Sequence, residues 1–237
     1  MNSAVWEQSI AQLPDWINVI VVDLPGHGSM AEVAVDTLDD YVQALVPIVH
    51  RPAIWVGWSL GGLAVLRLAE LYPQRVAAAF LVTTNPCFVS QPEWPHAVDT
   101  AVFWQFASEL EQNQEKTIRR FLALQAKGLP DLMNVVRQLQ KSIQLRGEAS
   151  TQALVAGLRI LLETDLRQAL NSVECPLYWL LGAKDSLVPS DLAQVLRNSY
   201  AQENVSLHPQ ASHAPFISHR DDFVRQLLEI AEQVRGH

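Results

Sequence analysis

Cysteine is scarce in this chain. Cys87 and Cys175 are the only two in 237 residues. Two thiols cannot build a disulfide framework, so the sequence reads as a protein of a reducing compartment, the cytoplasm. Long apolar runs are missing too. None approaches the roughly 18 residues of a membrane-spanning helix. The opening Met-Asn-Ser-Ala-Val-Trp-Glu-Gln carries neither the basic nor the apolar part of a secretion signal. Positive charge is in deficit: 17 Lys and Arg stand against 25 Asp and Glu, a net −8. That balance argues against nucleic-acid binding. No His, Cys or Asp cluster has ligand spacing, so neither a metal nor a cofactor is expected. What the chain does have is a 49% hydrophobic fraction and enough length to bury roughly 70% of its unfolded surface. These point to a globular protein, and a monomer is expected.

The best-patterned segments alternate strand and helix. Residues 3–13 read as a short helix. Strands are predicted at 17–22, 53–57, 77–82, 177–182 and 205–207, each an apolar or β-branched run. Thr37 with Asp40 and Ser218 with Asp221 have capping-box spacing and would open helices. Pro73 stops the helix that follows the second strand. Continuous apolar strands separated by helices imply an α/β fold, a mostly parallel sheet covered on both faces. Residues 88–170 lack strand signals and read as amphipathic helices. They would form a cap inserted into a core made of residues 1–87 and 171–237.

Gly57-Trp58-Ser59-Leu60-Gly61 fits Gly-x-Ser-x-Gly between a strand and a helix. The sharp reversal forces the serine into a strained backbone and leaves its hydroxyl exposed over the sheet edge. Side chains at both glycine positions are expected to collide with backbone. A serine needs a base, and the base needs a carboxylate to orient it. In this fold the order is Ser, then Asp or Glu, then His. Asp185, just past the strand 177–182, and His213, after the last strand, fit that order. Asp165 and Asp191 are less well placed, and His208 is the one rival histidine by position.

On these residues the chain resembles the α/β-hydrolase superfamily over essentially its whole length. Longer strings resemble one family within it, the pimeloyl-[acyl-carrier-protein] methyl ester carboxylesterases of biotin synthesis. They are Trp58-Ser-Leu-Gly-Gly62, Phe121-Leu-Ala-Leu-Gln125 and His213-Ala-Pro-Phe-Ile-Ser-His219. The resemblance implies a serine carboxylesterase that releases methanol from the carrier-bound ester. It implies Ser59, Asp185 and His213 as the triad and the Leu60 N–H as an oxyanion donor. It also implies Phe121, Leu122, Ala123, Leu124 and Gln125 as the lining of an acyl channel. The alternatives are a broad short-chain esterase or carbon–carbon bond hydrolase of the same fold, and a non-catalytic binding protein on a hydrolase scaffold.

Charge is uneven. Residues 116–146 hold Lys116, Arg119, Arg120, Lys127, Arg137, Lys141 and Arg146 against the single acid Asp131. Lys116/Arg120 and Arg137/Lys141 are spaced i, i+4. Such a face suits an acidic partner, and the resemblance makes that partner acyl carrier protein, docked through Lys116, Arg120 and Arg137. In the resembled family a strand and a His-Gly-Trp-Gly loop precede the segment matching Met1-Asn-Ser-Ala-Val-Trp6, and that loop gives the second oxyanion donor. The chain is slightly short for the fold by about that much, so an upstream natural start is expected.

Overall fold

The computed structural model describes residues 2–125, 132–147 and 149–236, except the side chains of residues 111, 114, 121, 122, 124, 125, 132, 134, 135, 138 and 139. The chain opens with a 3-10 turn, Ser3–Trp6, running into α1 (Glu7–Ile10). There follow α2 (Leu38–Leu45), β1 (Ala53–Trp58), α3 (Leu60–Leu71) and β2 (Val76–Val82). Four helices come next: α4 (Thr100–Gln112), α5 (Gln114–Gln125), α6 (Leu132–Leu145) and α7 (Thr151–Glu163). The chain then returns to β3 (Leu177–Gly182), α8 (Leu192–Ser199), β4 (Val205–His208), α9 (Pro215–Ser218) and α10 (Arg220–Arg235).

The sheet runs β1-β2-β3-β4, and every pair is parallel. Side chains alternate between its two faces with the period of a strand. Ala79, Leu81, Trp179 and Leu181 join the cluster formed with α2, α3 and α8. Ala78, Phe80, Val82 and Leu180 join the cluster formed with Phe216, Phe223 and Val224. Burial on both faces is why these strands read as unbroken apolar runs. Parallel order also brings all four strand ends, and the loops after them, to one edge.

Two sequence expectations differ from the structure. Residues 17–22 are not a strand. A strand needs a partner edge about 4.8 Å away. Here Val19–Val22 and β1 instead line one cavity, and β1 pairs only with β2 among the described residues. Val19, Ile20 and Val21 remain exposed. The capping box at Thr37 forms in full, with Thr37 accepting from Asp40 N and Asp40 accepting from Thr37 N. The one at Ser218 does not. Ser218 closes α9 by donating to Ala214 O, and Asp221 accepts from Gln12 instead. The tight turn of α9 consumes the serine that would have capped α10.

Candidate active site

The site grows from the end of β1. Ser59 has φ 53° and ψ −118°, a conformation that costs a non-glycine residue about 1–3 kcal/mol. The fold holds it there from several sides. Ser59 N donates to Val82 O at 3.0 Å, and Ser59 O accepts from Gly62 N at 2.9 Å and Leu63 N at 3.3 Å. Thr84 Oγ1 adds a bond to the same oxygen at 3.2 Å. A methyl group on Gly57 would sit 2.5 Å from Gly61 O and 2.6 Å from Gly62 Cα, both backbone atoms. The second glycine of the motif behaves otherwise. Gly61 has open space, and it is Gly62 whose added carbon would overlap Thr84. The steric demand therefore falls on Gly57 and Gly62, not on Gly57 and Gly61 as the motif suggests.

Because α3 begins at Leu60, its first N–H groups lack intrahelical acceptors. Gly62 and Leu63 spend theirs on Ser59 O, so Leu60 and Gly61 present theirs at the helix end, where the dipole favours negative charge.

Asp185 lies in the loop after β3 and His213 in the loop after β4. His213 Nδ1 is 2.7 Å from Asp185 Oδ2, with the side chains 2% and 0% exposed. Asp185 Oδ1 accepts from Leu187 N at 2.8 Å and Val188 N at 3.2 Å. These bonds fix the carboxylate and give His213 a place for an Nδ1 proton. Its Nε2 is buried and has no hydrogen-bond partner among the described residues. Catalytic hydrogen bonds commonly tighten only with substrate in place.

Two residues that the Ser-Asp-His chain order does not point to also grip this loop. Trp58 Nε1 and Thr83 Oγ1 both donate to His213 O, each at 2.7 Å. Thr83 has φ 42°, rare for a β-branched residue. The sequence signal was available: Thr83-Thr84-Asn85 is a polar run directly after an apolar strand. All three residues are fully buried.

The rivals are engaged elsewhere. His208 Nε2 meets Asp222 Oδ2 at 3.0 Å, Asp191 pairs with His96, and Asp165 pairs with Arg167. The cavity between Val19–Val22 and β1, about 1010 Å³ in all, extends to Ser59 and Leu60, where Phe106, Leu154, Leu158 and Leu161 wall it. The side chains of Phe121, Leu122, Leu124 and Gln125 lie outside the described residues, although their backbone belongs to α5. Ala123 packs against the apolar cluster on the α10 face.

The basic patch is smaller than its count. Lys116, Arg119, Arg137 and Lys141 are exposed. Arg120 Nη1 lies 2.9 Å from both carboxylate oxygens of Glu109, and Arg146 is tied to Glu7 and Ser3. Both acids lie outside the 116–146 window, on α4 and α1. Lys127 and Asp131 lie outside the described residues.

A serine in a strained strand-to-helix turn, with a buried His–Asp pair on the same sheet edge, defines the serine hydrolases built on a parallel α/β sheet. The chain belongs to the alpha/beta hydrolase family, which matches it over residues 1–226. It is 38% identical over 231 residues to the pimeloyl-[acyl-carrier protein] methyl ester esterase of Vibrio cholerae, covering 98% of this chain and 90% of that one. The protein of the same name from Xylella fastidiosa is also 38% identical, covering 96% and 89%. Among solved structures, an esterase from Exiguobacterium antarcticum superposes with a TM-score of 0.86 at 18% identity, over 98% of this chain and 88% of that one. At that identity the likeness speaks to the fold.

Proposed function

We propose that the chain is a serine carboxylesterase that hydrolyses the methyl ester of pimeloyl-acyl-carrier-protein, in the bacterial cytoplasm, as a step of biotin synthesis. The observation that carries the chemistry is the buried His213–Asp185 pair at 2.7 Å on the same sheet edge as Ser59. The substrate rests on the relatives at 38% identity that bear this activity in their names.

In this reading Ser59 Oγ attacks the ester carbonyl as His213 Nε2 takes its proton. The tetrahedral oxyanion is received by the Leu60 N–H at the positive end of α3. The carbon–oxygen bond to the methoxy group breaks, and His213 hands its proton to the leaving oxygen, releasing methanol. Water then attacks the acyl-enzyme with His213 as base again. The serine oxygen leaves with the returned proton, and free pimeloyl carboxylate remains on the carrier. Asp185 stays ionised, holding the proton on Nδ1 and balancing the imidazolium that forms in both steps.

The acyl chain enters the apolar cavity beside Ser59. The carrier, an acidic protein, docks on the exposed face of α5 and α6 through Lys116, Arg120 and Arg137. Arg120 gives up part of its pairing with Glu109 to do so. Charge reversal tests this docking: Arg137→Glu with Lys116→Glu lowers kcat/KM for the carrier-bound ester about tenfold or more and leaves p-nitrophenyl acetate hydrolysis unchanged. Equal losses on both substrates would rule out docking there.

A further inference from the structure

The structure contains a second histidine–aspartate pair close to the first, with its ring turned the opposite way. His208 ends β4, and five residues later the same loop presents His213. Its Nε2 lies 3.0 Å from Asp222 Oδ2 on α10. Its Nδ1 accepts from Gln210 N at 3.3 Å and Ala211 N at 3.1 Å. Two N–H groups aimed at one ring nitrogen require a lone pair there, so the proton sits on Nε2 and is donated to Asp222. In the other pair the proton sits on Nδ1, and Nε2 is left for chemistry.

From this geometry we infer that His208 is a positioning residue for His213: its Nδ1 folds the 208–211 turn that sets the catalytic loop. The inference rests on the proposed role of His213. The turn resembles one made by asparagine, whose side-chain oxygen accepts the N–H two residues on. Pro209 stiffens it by fixing one φ. The turn is also tied to the sheet. Ala183 N donates to His208 O and Lys184 N to Ala211 O, both at 2.9 Å. The Lys184 ammonium also reaches the Gln210 side chain. Facing the His208 ring are Asp222, which also accepts from Arg225 at 2.7 Å, and His219, whose ring centroid is 4.2 Å away. Two residues beyond Ala211 comes His213, so slack in this turn passes directly to the base.

Small displacements of a catalytic group cost large factors in rate while leaving apolar substrate binding nearly intact. His208→Leu therefore lowers kcat for p-nitrophenyl butyrate about tenfold, with KM within about twofold of wild type. His208→Asn keeps the acceptor and holds kcat within about threefold. Nitrogen-15 spectra of the imidazoles show His208 as the Nε2–H form at neutral pH. The downfield Nδ1 proton of His213 persists in the Asn variant and broadens in the Leu variant. If His208→Leu does not fold, His208→Ala replaces it: the Nδ1 acceptor for Gln210 N and Ala211 N is lost without added bulk, and kcat falls. Wild-type kcat in the folded Leu or Ala variant, an Asn variant as slow as the Leu variant, or an Nδ1–H ring at His208 would each overturn the inference. If instead Ser59→Ala still hydrolyses the ester, the proposed function fails, and the ring spectrum alone decides this point.

Discussion

Replacing Asp185 with Asn tests the hydrogen-bond geometry most sharply, because the structure dictates which way the new amide must turn. Oδ1 of Asp185 receives the N–H groups of Leu187 and Val188, so in the variant the amide oxygen must stay there. Its NH₂ is then forced towards His213 Nδ1, now 2.7 Å from the aspartate oxygen it replaces. Two donors cannot face each other, so the imidazole moves its proton to Nε2. That nitrogen can no longer take a proton from Ser59. Both side chains are almost fully buried, so water offers no alternative orientation. In serine proteases with this constellation the equivalent exchange costs about 10⁴ in kcat, or about 5.5 kcal/mol of transition-state stabilisation. The same loss is expected here, with KM changed less than about threefold and the melting temperature close to wild type, since shape and volume are kept. Steady-state hydrolysis of p-nitrophenyl butyrate, with thermal melts in parallel, reads both. A folded Asp185→Asn protein with more than a tenth of wild-type kcat would refute the reasoning.

Two further outcomes follow from packing and burial. Gly57→Ala drives a methyl group into the backbone of Gly61 and Gly62, whereas Gly61→Ala enters open space. The first should lower unfolding stability by about 1–3 kcal/mol and the second by less than about 1 kcal/mol, measured by urea titration. His27 is buried and donates to Pro25 O; burial pulls its pKa down to about 4. Its folded pKa is thus below the unfolded value, so the unfolded chain binds the extra proton as pH falls. The His27 contribution lowers stability by about 3 kcal/mol from about pH 6.5 to about pH 4, and that contribution levels out below. A His27→Gln variant should lack that slope in melts taken across the window.

Much of the fold is legible in the sequence because strands buried on both faces have no choice but to be continuously apolar. Residues 53–57, 77–82 and 177–182 announce themselves in that way. Residues 17–22 carry the same signal and yet are no strand here, because pairing is a property of two edges and the string of residues describes only one. The nucleophile turn is legible from Gly57 and Ser59, but its true steric partner, Thr84, sits on a different strand end. Asp185 and His213 are found by chain order. The donors on the His213 carbonyl, Trp58 and Thr83, come from other loops and no spacing rule links them. The basic patch is smaller than its sequence window for the same reason: Glu109 and Glu7 reach it from neighbouring helices, which a window along the chain does not see.

In the proposed mechanism Ser59 carries ester hydrolysis on a carrier-bound methyl ester. Methanol released from pimeloyl-acyl-carrier-protein methyl ester, measured for wild type and for Ser59→Ala, tests it most directly. Wild type should release one methanol per carrier, and the alanine variant should do so at least about 10³-fold more slowly. Methanol release at equal rates by both proteins, or none from the wild type, would contradict it.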